Sequence, residues 1–528
     1  MRTHRSFAGI VAALLFGTAV LPIAQASAIS KTLPVSVPAP LPLHWQPCAD
    51  VPTRDCATLT VPLDYTNPTA GMIDLPVARA RAANASQRIG TLVYNPGGPG
   101  NSVADFIQYG NLTPTFSQTL VDRFDIVGFD PRGTTNGLSC QPSQQQEQYW
   151  ESNHLPRTTD QVNTILNLER QYNQGCISNN QPLINHVDTA SAVRDMESLR
   201  LAMGEQKFSY MGRSYGTFIG YRYMALYPGR LRAMVLDSVY DRSVPDQQSF
   251  MESNVVLDQS WQQFKAWCQQ NSSCSLHGQN IDQIFDAALT RARTNPIPAP
   301  NGPLGTRPVN DWQLLLTVEL TTAAGSATFA WTDQMVAGAQ HGDASLSRFL
   351  YDIASGYAGD GEYYSGEGTH RSIACADTNW SQTLRTTADV QALAAASQAV
   401  APRYGQVNVY QGPAQCVGFS VPPVEAPPVR STTADKTPVL VVSATKDATT
   451  PLLWATRIAA QIPGAHLLVR DGDGHINYNK SSCIKQDVDA YLTNLTLPSH
   501  GTVCATDNNP PQPPPVLGTG EATPSKTE

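Results

Sequence analysis

Charge is scarce in this sequence. Aspartate, glutamate, lysine and arginine make up 15% of 528 residues and leave a formal net charge of -8. So mild an acidic balance gives no electrostatic footprint for nucleic acid. Beyond the N-terminus, no apolar run approaches the length that spans a bilayer. No two cysteines have Cys-x-x-Cys spacing and none clusters with histidine, so no metal site is expected. The glycine-rich stretch from Asn95 to Gly100 lacks the Gly-Lys-Ser/Thr ending of a phosphate loop. It also lacks the Gly-x-Gly-x-x-Gly order of a dinucleotide site, and no cofactor is expected.

The N-terminus reads as a processing signal. Arg2, His4 and Arg5 precede an apolar run from Phe7 to Leu21, followed by small residues at Ala24-Gln25-Ala26 and Ala26-Ser27-Ala28. The run is short for a membrane span and fits a secretory signal over residues 1–28. A retained N-terminal anchor is the alternative, and no cysteine stands at the cleavage region to take a lipid. The expected location is extracellular or periplasmic, with no membrane contact after cleavage. Ten cysteines, an even number, then read as disulfides. Pairing in chain order closes short or moderate loops: Cys48–Cys56, Cys140–Cys176, Cys268–Cys274, Cys375–Cys416 and Cys483–Cys504. The 40 prolines concentrate near both ends and in linkers.

Strand and helix signals alternate through the first half of the mature chain, which argues for a mostly parallel sheet. Strands are expected at Ala57–Leu63, Ile73–Ala80 (weakened by Pro76), Thr91–Tyr94, Phe124–Phe129, Phe208–Met211 and Ala233–Asp237. From 241 to 435 that rhythm is lost. Helical faces around Trp261, Phe264 and Trp267, and around Leu314, Leu315 and Val318, suggest an inserted, mainly helical lid. Gly356–Gly368 reads as a loop and Pro422–Pro428 as a stiff linker. The sheet resumes at Pro438–Ser443 and Ala465–Val469. The expected division is an extended leader 29–46, a core 47–240, the lid 241–435, the rest of the core 436–504, and a Pro-rich disordered tail 505–528.

The turn Met211-Gly212-Arg213-Ser214-Tyr215-Gly216-Thr217 carries the chemistry. Its Gly-x-Ser-x-Gly pattern lies between an apolar strand and a helix that Pro228 ends, the context of a nucleophile elbow. A serine hydroxyl needs a base within hydrogen-bond reach, and the base needs an acceptor to fix its tautomer. Asp447 and His475 follow late strands in the order Ser, Asp, His, so Ser214, Asp447 and His475 form the expected triad. Asp237 is the alternative acid. His466, inside a strand, is expected to pack; His341 and His370 belong to the lid. Asp471 and Asp473 are expected in a turn, and Asp130 and Arg132 as a structural pair. Backbone N–H groups of Gly98 and Tyr215 are the expected oxyanion donors. A histidine base predicts activity that falls below about pH 6.

Asn95-Pro-Gly-Gly-Pro-Gly100, Phe129-Asp-Pro-Arg-Gly133, Gly212-Arg-Ser-Tyr-Gly216, Asp447 and Gly474-His475 together resemble the prolyl iminopeptidase and secreted tripeptidyl aminopeptidase group of α/β-hydrolases. The resemblance covers nearly the whole mature chain, and cysteine placement and the block from 400 to 504 favour the tripeptidyl branch. Prolyl iminopeptidases typically have His before Gly-Gly-Pro-Gly, where Pro96 stands here. The resemblance implies an α/β-hydrolase fold and a serine exopeptidase whose partner is a peptide with a free N-terminus. It also implies lid carboxylates that hold the substrate's α-amine, for which Asp377 and Glu252 are the candidates. A monomer is expected. A carboxylesterase on the same scaffold and a catalytically inactive binding protein are the alternatives.

Overall fold

The computed structural model describes residues 37–135, 137–359, 361–363, 366–422 and 437–507. The expected signal 1–28, most of the linker from Pro422 to Pro428 and the tail from 508 lie outside the described residues. Twelve strands are assigned within them: β1 (Gln46–Pro47), β2 (Asp55–Pro62), β3 (Met72–Ala80), β4 (Gly90–Asn95), β5 (Phe124–Phe129), β6 (Phe208–Arg213), β7 (Leu231–Asp237), β8 (Tyr357–Gly359), β9 (Glu362–Tyr363), β10 (Val439–Lys446), β11 (Ala465–Asp473) and β12 (Val503–Ala505). Ten of these form one sheet in the order β1-β2-β3-β5-β4-β6-β7-β10-β11-β12, and β8 and β9 make a separate hairpin. β3 runs antiparallel to both neighbours, and every pairing from β5 to β12 is parallel. A parallel sheet must be covered on both faces, which requires apolar residues at successive positions. Val439 and Val441 accordingly pack into the core on one face, and Leu440 and Val442 into the core on the other.

The strand order reverses at β4. The chain passes from β4 to β5 on one side and later to β6 on the other. The carboxyl ends of strands flanking such a reversal leave a crevice where ligands bind. The Gly97 loop follows β4 and Ser214 follows β6, so both lie at that crevice.

Between β7 and β10 the described chain is helical apart from the β8–β9 hairpin. Asp246–Gln270, Ile281–Thr294, Asp311–Ala323, Phe329–His341 and Ser345–Ser355 lead to Gly366–Asp377, Trp380–Thr383, Thr387–Val400 and Gly405–Gln411. Trp261 and Phe264 are buried in the core, as are Leu314, Leu315 and Val318. The ten cysteines pair in chain order, from Cys48–Cys56 through Cys140–Cys176, Cys268–Cys274 and Cys375–Cys416 to Cys483–Cys504.

Two helices, Ser143–Glu151 and Thr159–Asn179, occupy the Gln/Asn-rich stretch after Cys140. A reciprocal cap between Thr158 and Gln161 starts the second, which buries Val162, Ile165, Leu166 and Tyr172. Gly356–Gly368 contains the hairpin and the first turn of a helix. Asp471 and Asp473 lie on β11, because the strand continues beside β10 as far as Lys446↔Asp473. Pro76 lies within β3, opposite Thr58 of β2. Its carbonyl accepts from Asp130 N at 3.0 Å, and its missing N–H faces the same side, so the ladder to β5 begins only at the next pair, Val77↔Phe129. The end of the expected leader docks on the core, with Leu43 N–H bonded to Ala202 O at 3.1 Å.

Candidate active site

Ser214 stands between β6 and the helix Tyr215–Leu226 with φ 51° and ψ −126°, a conformation that side-chain-bearing residues rarely adopt. Its N–H donates to Asp237 O at 3.0 Å, and its own carbonyl accepts from Thr217 N at 2.9 Å and Thr217 Oγ1 at 2.6 Å. The flanking glycines are required by close approach. A Cβ on Gly212 would lie 2.4 Å from Gly216 O, and one on Gly216 2.6 Å from Asn95 O.

The loop after β4 leans directly on this elbow. A Cβ on Gly97 would stand 2.8 Å from both Arg213 O and Ser214 Cβ. Gly97 N–H is taken by Asn95 Oδ1 at 2.9 Å, whereas no described residue accepts from Gly98 N–H. Tyr215 is the first residue of its helix, where N–H groups have no intrahelical acceptor. The loop is held from behind by Asp130, whose Oδ1 accepts from Ser102 Oγ, Val103 N and Ala104 N at 2.8, 2.8 and 2.9 Å. Asp130 and Arg132 are therefore not a pair. Arg132 is bidentate with Asp195 at 2.6 and 2.7 Å, both side chains fully buried. His370 meets Pro99 O through Nδ1 at 3.0 Å, on the lid side of the loop.

Asp447 and His475 come together at the ends of β10 and β11. His475 Nδ1 lies 3.0 Å from Asp447 Oδ2 and 3.1 Å from Oδ1. Asp447 is buried and also accepts from Thr449 N, Thr450 N, Thr450 Oγ1 and Ser238 Oγ at 2.9–3.0 Å. Burial opposes ionisation here, yet the His475 ring and these hydrogen bonds outweigh it and hold the carboxyl below its usual range. A carboxylate at Nδ1 fixes the proton there and leaves Nε2 as the basic nitrogen. Nε2 is buried and no described residue bonds to it. Thr450 Oγ1 adds a contact of 3.2 Å to Nδ1. Asp237, the alternative acid, is turned away from the ring; its carboxylate accepts from Asn477 N, Asn477 Nδ2 and Tyr478 N. His466 packs, its ring stacked on His500 at 3.9 Å.

A cleft of about 220 Å³ has Tyr240, Phe250, Trp380, Trp454, Arg242 and His370 among its walls, and none of Ser214, Gly98, Asp377, Asp447 or His475 lines it. Tyr240 meets Trp454 edge to face at 5.8 Å, and Phe250 meets Trp380 in the same way at 5.8 Å. Tyr240 N–H donates to Thr217 Oγ1 at 2.9 Å, which ties this wall to the elbow helix.

Asp377 reaches the elbow through a chain of hydroxyls. Thr189 Oγ1 donates to Asp377 Oδ2 at 2.6 Å, Thr189 N donates to Oδ1 at 2.8 Å, and Tyr215 Oη bonds to the same Thr189 hydroxyl. Burial pushes the Asp377 carboxyl up to about 6, against the lowering effect of the Thr189 bonds. Arg242 bonds to Asp377 O and to Asp246. Glu252 is committed elsewhere: Arg457 Nη2 at 2.7 Å, Trp454 Nε1 at 2.9 Å and Gln248 Nε2 at 2.9 Å occupy its oxygens. Thr189, Ser238, Arg242 and Thr450 were not singled out from sequence. Only Thr450 offered a local signal, being a hydroxyl three residues after Asp447, where it can turn back on the carboxylate.

Residues 90–313 match the α/β-hydrolase fold family, and residues 401–504 match the TAP-like protein family. A tripeptidyl aminopeptidase of Streptomyces lividans is 28% identical over 89% of this chain and 87% of its own length. Serine protease Hip1 of Mycobacterium tuberculosis is 28% identical over 88% of this chain and 91% of its own. Carboxylesterase B of the same species is 29% identical over 87% and 89%. Among the described residues no helix is long and apolar enough to cross a membrane. With a parallel sheet whose order reverses at the glycine loop and a strained serine at the crevice, these matches give the chain an α/β-hydrolase fold, with tripeptidyl aminopeptidases and serine protease Hip1 among the proteins it is similar to.

Proposed function

We propose that the chain is an exported serine exopeptidase that cuts peptide bonds near a free N-terminus. The observation that carries the reading is the Asp447–His475 contact, which leaves a basic Nε2 that no described residue, Ser214 included, bonds to. Ser214 Oγ attacks the scissile carbonyl while His475 Nε2 takes its proton. The N–H groups of Gly98 and Tyr215 receive the charge that develops on the carbonyl oxygen. His475 then gives its proton to the leaving amine, and water releases the acyl group by the same route. Asp377 is the preferred anchor for the substrate's α-amine, since Glu252 already serves Arg457. The helical segment 241–435 acts as a lid that sizes the cleft. Five disulfides support an oxidising compartment and a signal over residues 1–28.

The second reading, a carboxylesterase, is favoured by one relative's name and uses the same machinery. Free-amine and N-blocked peptide nitroanilides, compared with nitrophenyl esters, separate the two. Turnover of free-amine peptides is expected, and turnover confined to esters or blocked peptides overturns the exopeptidase reading.

A further inference from the structure

We propose that Asp237 and Ser238, the two residues that leave β7, are positioning residues that set the mutual geometry of Ser214, Asp447 and His475. The inference rests on the serine-hydrolase reading above and goes beyond it by naming what aligns the three groups, which come from three separate loops. Asp237 contributes its carbonyl to Ser214 N–H at 3.0 Å. Ser238 Oγ donates to Asp447 Oδ2 at 2.9 Å. The same oxygen accepts from Ile476 N at 2.9 Å, the amide that follows His475, and from Asn477 Nδ2 at 3.1 Å. One donated and two accepted bonds use the full capacity of a hydroxyl. The Asp237 carboxylate secures the next two amides, Asn477 N at 3.0 Å and Tyr478 N at 3.1 Å. Ser238 N–H is itself fixed to Val442 O at 2.9 Å, on the strand that ends at the acid. Two consecutive residues thus touch the nucleophile's amide, the acid's carboxylate and the backbone just beyond the base.

Strain marks the same place. Among the described residues four non-glycine residues have positive φ, and three of them are Ser214 at 51°, Ser238 at 63° and Ile476 at 66°. Each costs free energy that a fold retains only where surrounding contacts over-determine it. Both Asp237 and Ser238 are completely buried. Neither can touch substrate, so their effect runs through the geometry of the three groups they hold.

The test is Ser238→Gly. Glycine accepts a φ of 63° without strain, so this change removes the hydroxyl and leaves the backbone able to keep its course. We expect kcat to fall roughly 10- to 100-fold, the loss typical of a small misalignment of reacting groups, with KM changed less than about twofold. Labelling of Ser214 by a fluorophosphonate should slow by the same factor. A Ser238→Gly protein with parental kcat and labelling rate, beside a silent Ser214→Ala, overturns the positioning role alone. Labelling that survives in Ser214→Ala overturns the underlying reading instead. Hydrogen exchange on the unaltered protein gives a second measure. The Ile476, Asn477 and Tyr478 amides should exchange as slowly as those of β10, and fast exchange there contradicts the proposal even where the variant fails to fold.

Discussion

Alanine at position 97 would put a methyl group where the glycine loop touches the elbow. The added carbon would lie 2.8 Å from Arg213 O and 2.8 Å from Ser214 Cβ, and 3.3 Å from Tyr215 N. The first two partners are backbone and near-backbone atoms of a strained turn, so the loop has to retreat by several tenths of an ångström. The φ of Gly97, 109°, is also a region an L-residue enters only at a cost of about 1–3 kcal/mol. Both effects move the adjacent Gly98 N–H, the proposed oxyanion donor, from its place. Loss of one such donor costs about 2.7–4 kcal/mol, a factor of roughly 100 to 1,000 in kcat. Gly97→Ala should therefore lose at least about 100-fold in kcat on any substrate, ester or peptide, with KM changed less than about threefold. Gly71→Ala is the control. Gly71 has φ 130° but nothing within 4 Å of an added Cβ, so that variant should lose stability and keep its kcat. Steady-state kinetics and thermal melts of both variants check the argument. A Gly97→Ala enzyme within threefold of the parent kcat would refute the place given to this loop.

Three further outcomes are expected. Thr450→Val removes a hydroxyl that bonds Asp447 at 2.9 Å and lies 3.2 Å from His475 Nδ1, and should lower kcat about 10- to 100-fold; Thr450→Ser should restore most of it, and an unaffected Thr450→Val would contradict the role. Asp377, raised to about 6 by burial, loses its charge as pH falls through that value, so KM for free-amine peptides should rise below pH 6. In Asp377→Asn the KM should be high and flat across pH 5–7.5, and a flat parental profile would remove Asp377 as the amine anchor. Glu319, pushed up to about 8 by burial, lies with both carboxyl oxygens 2.9 Å from the Asn408 amide. The folded chain keeps this proton where the unfolded chain releases it, so stability should fall with rising pH between about 4.5 and 8. The slope is about 1.4 kcal/mol per pH unit for one proton. Glu319→Gln should flatten the dependence by that amount in urea titrations at pH 5.5 and 7.5; equal slopes would refute the buried proton.

What the sequence made legible was local. Ser214 sits in a strand-turn-helix context written in adjacent residues, and Asp447 and His475 each follow an apolar run. The glycine loop is likewise contiguous. Its register against the elbow was not legible, because the contact between Gly97 and Ser214 joins residues far apart in the chain. The same distance hid Thr189 beneath Asp377, Ser238 beneath Asp447, and Asp195 as the true partner of Arg132. Composition misled in one place. Asp471-Gly472-Asp473 has the residues of a turn, yet pairing with β10 keeps it extended, helped by Thr445 Oγ1 bonding to Asp471 at 3.1 Å.

We propose that Ser214 releases short fragments from a free peptide N-terminus. Mass spectrometry of one peptide, offered with its α-amine free and again acetylated, tests it most directly. Short N-terminal fragments are expected from the free peptide, none from the acetylated one, and none from either with Ser214→Ala. Equal cleavage of both peptides, or fragments that persist in Ser214→Ala, would contradict it.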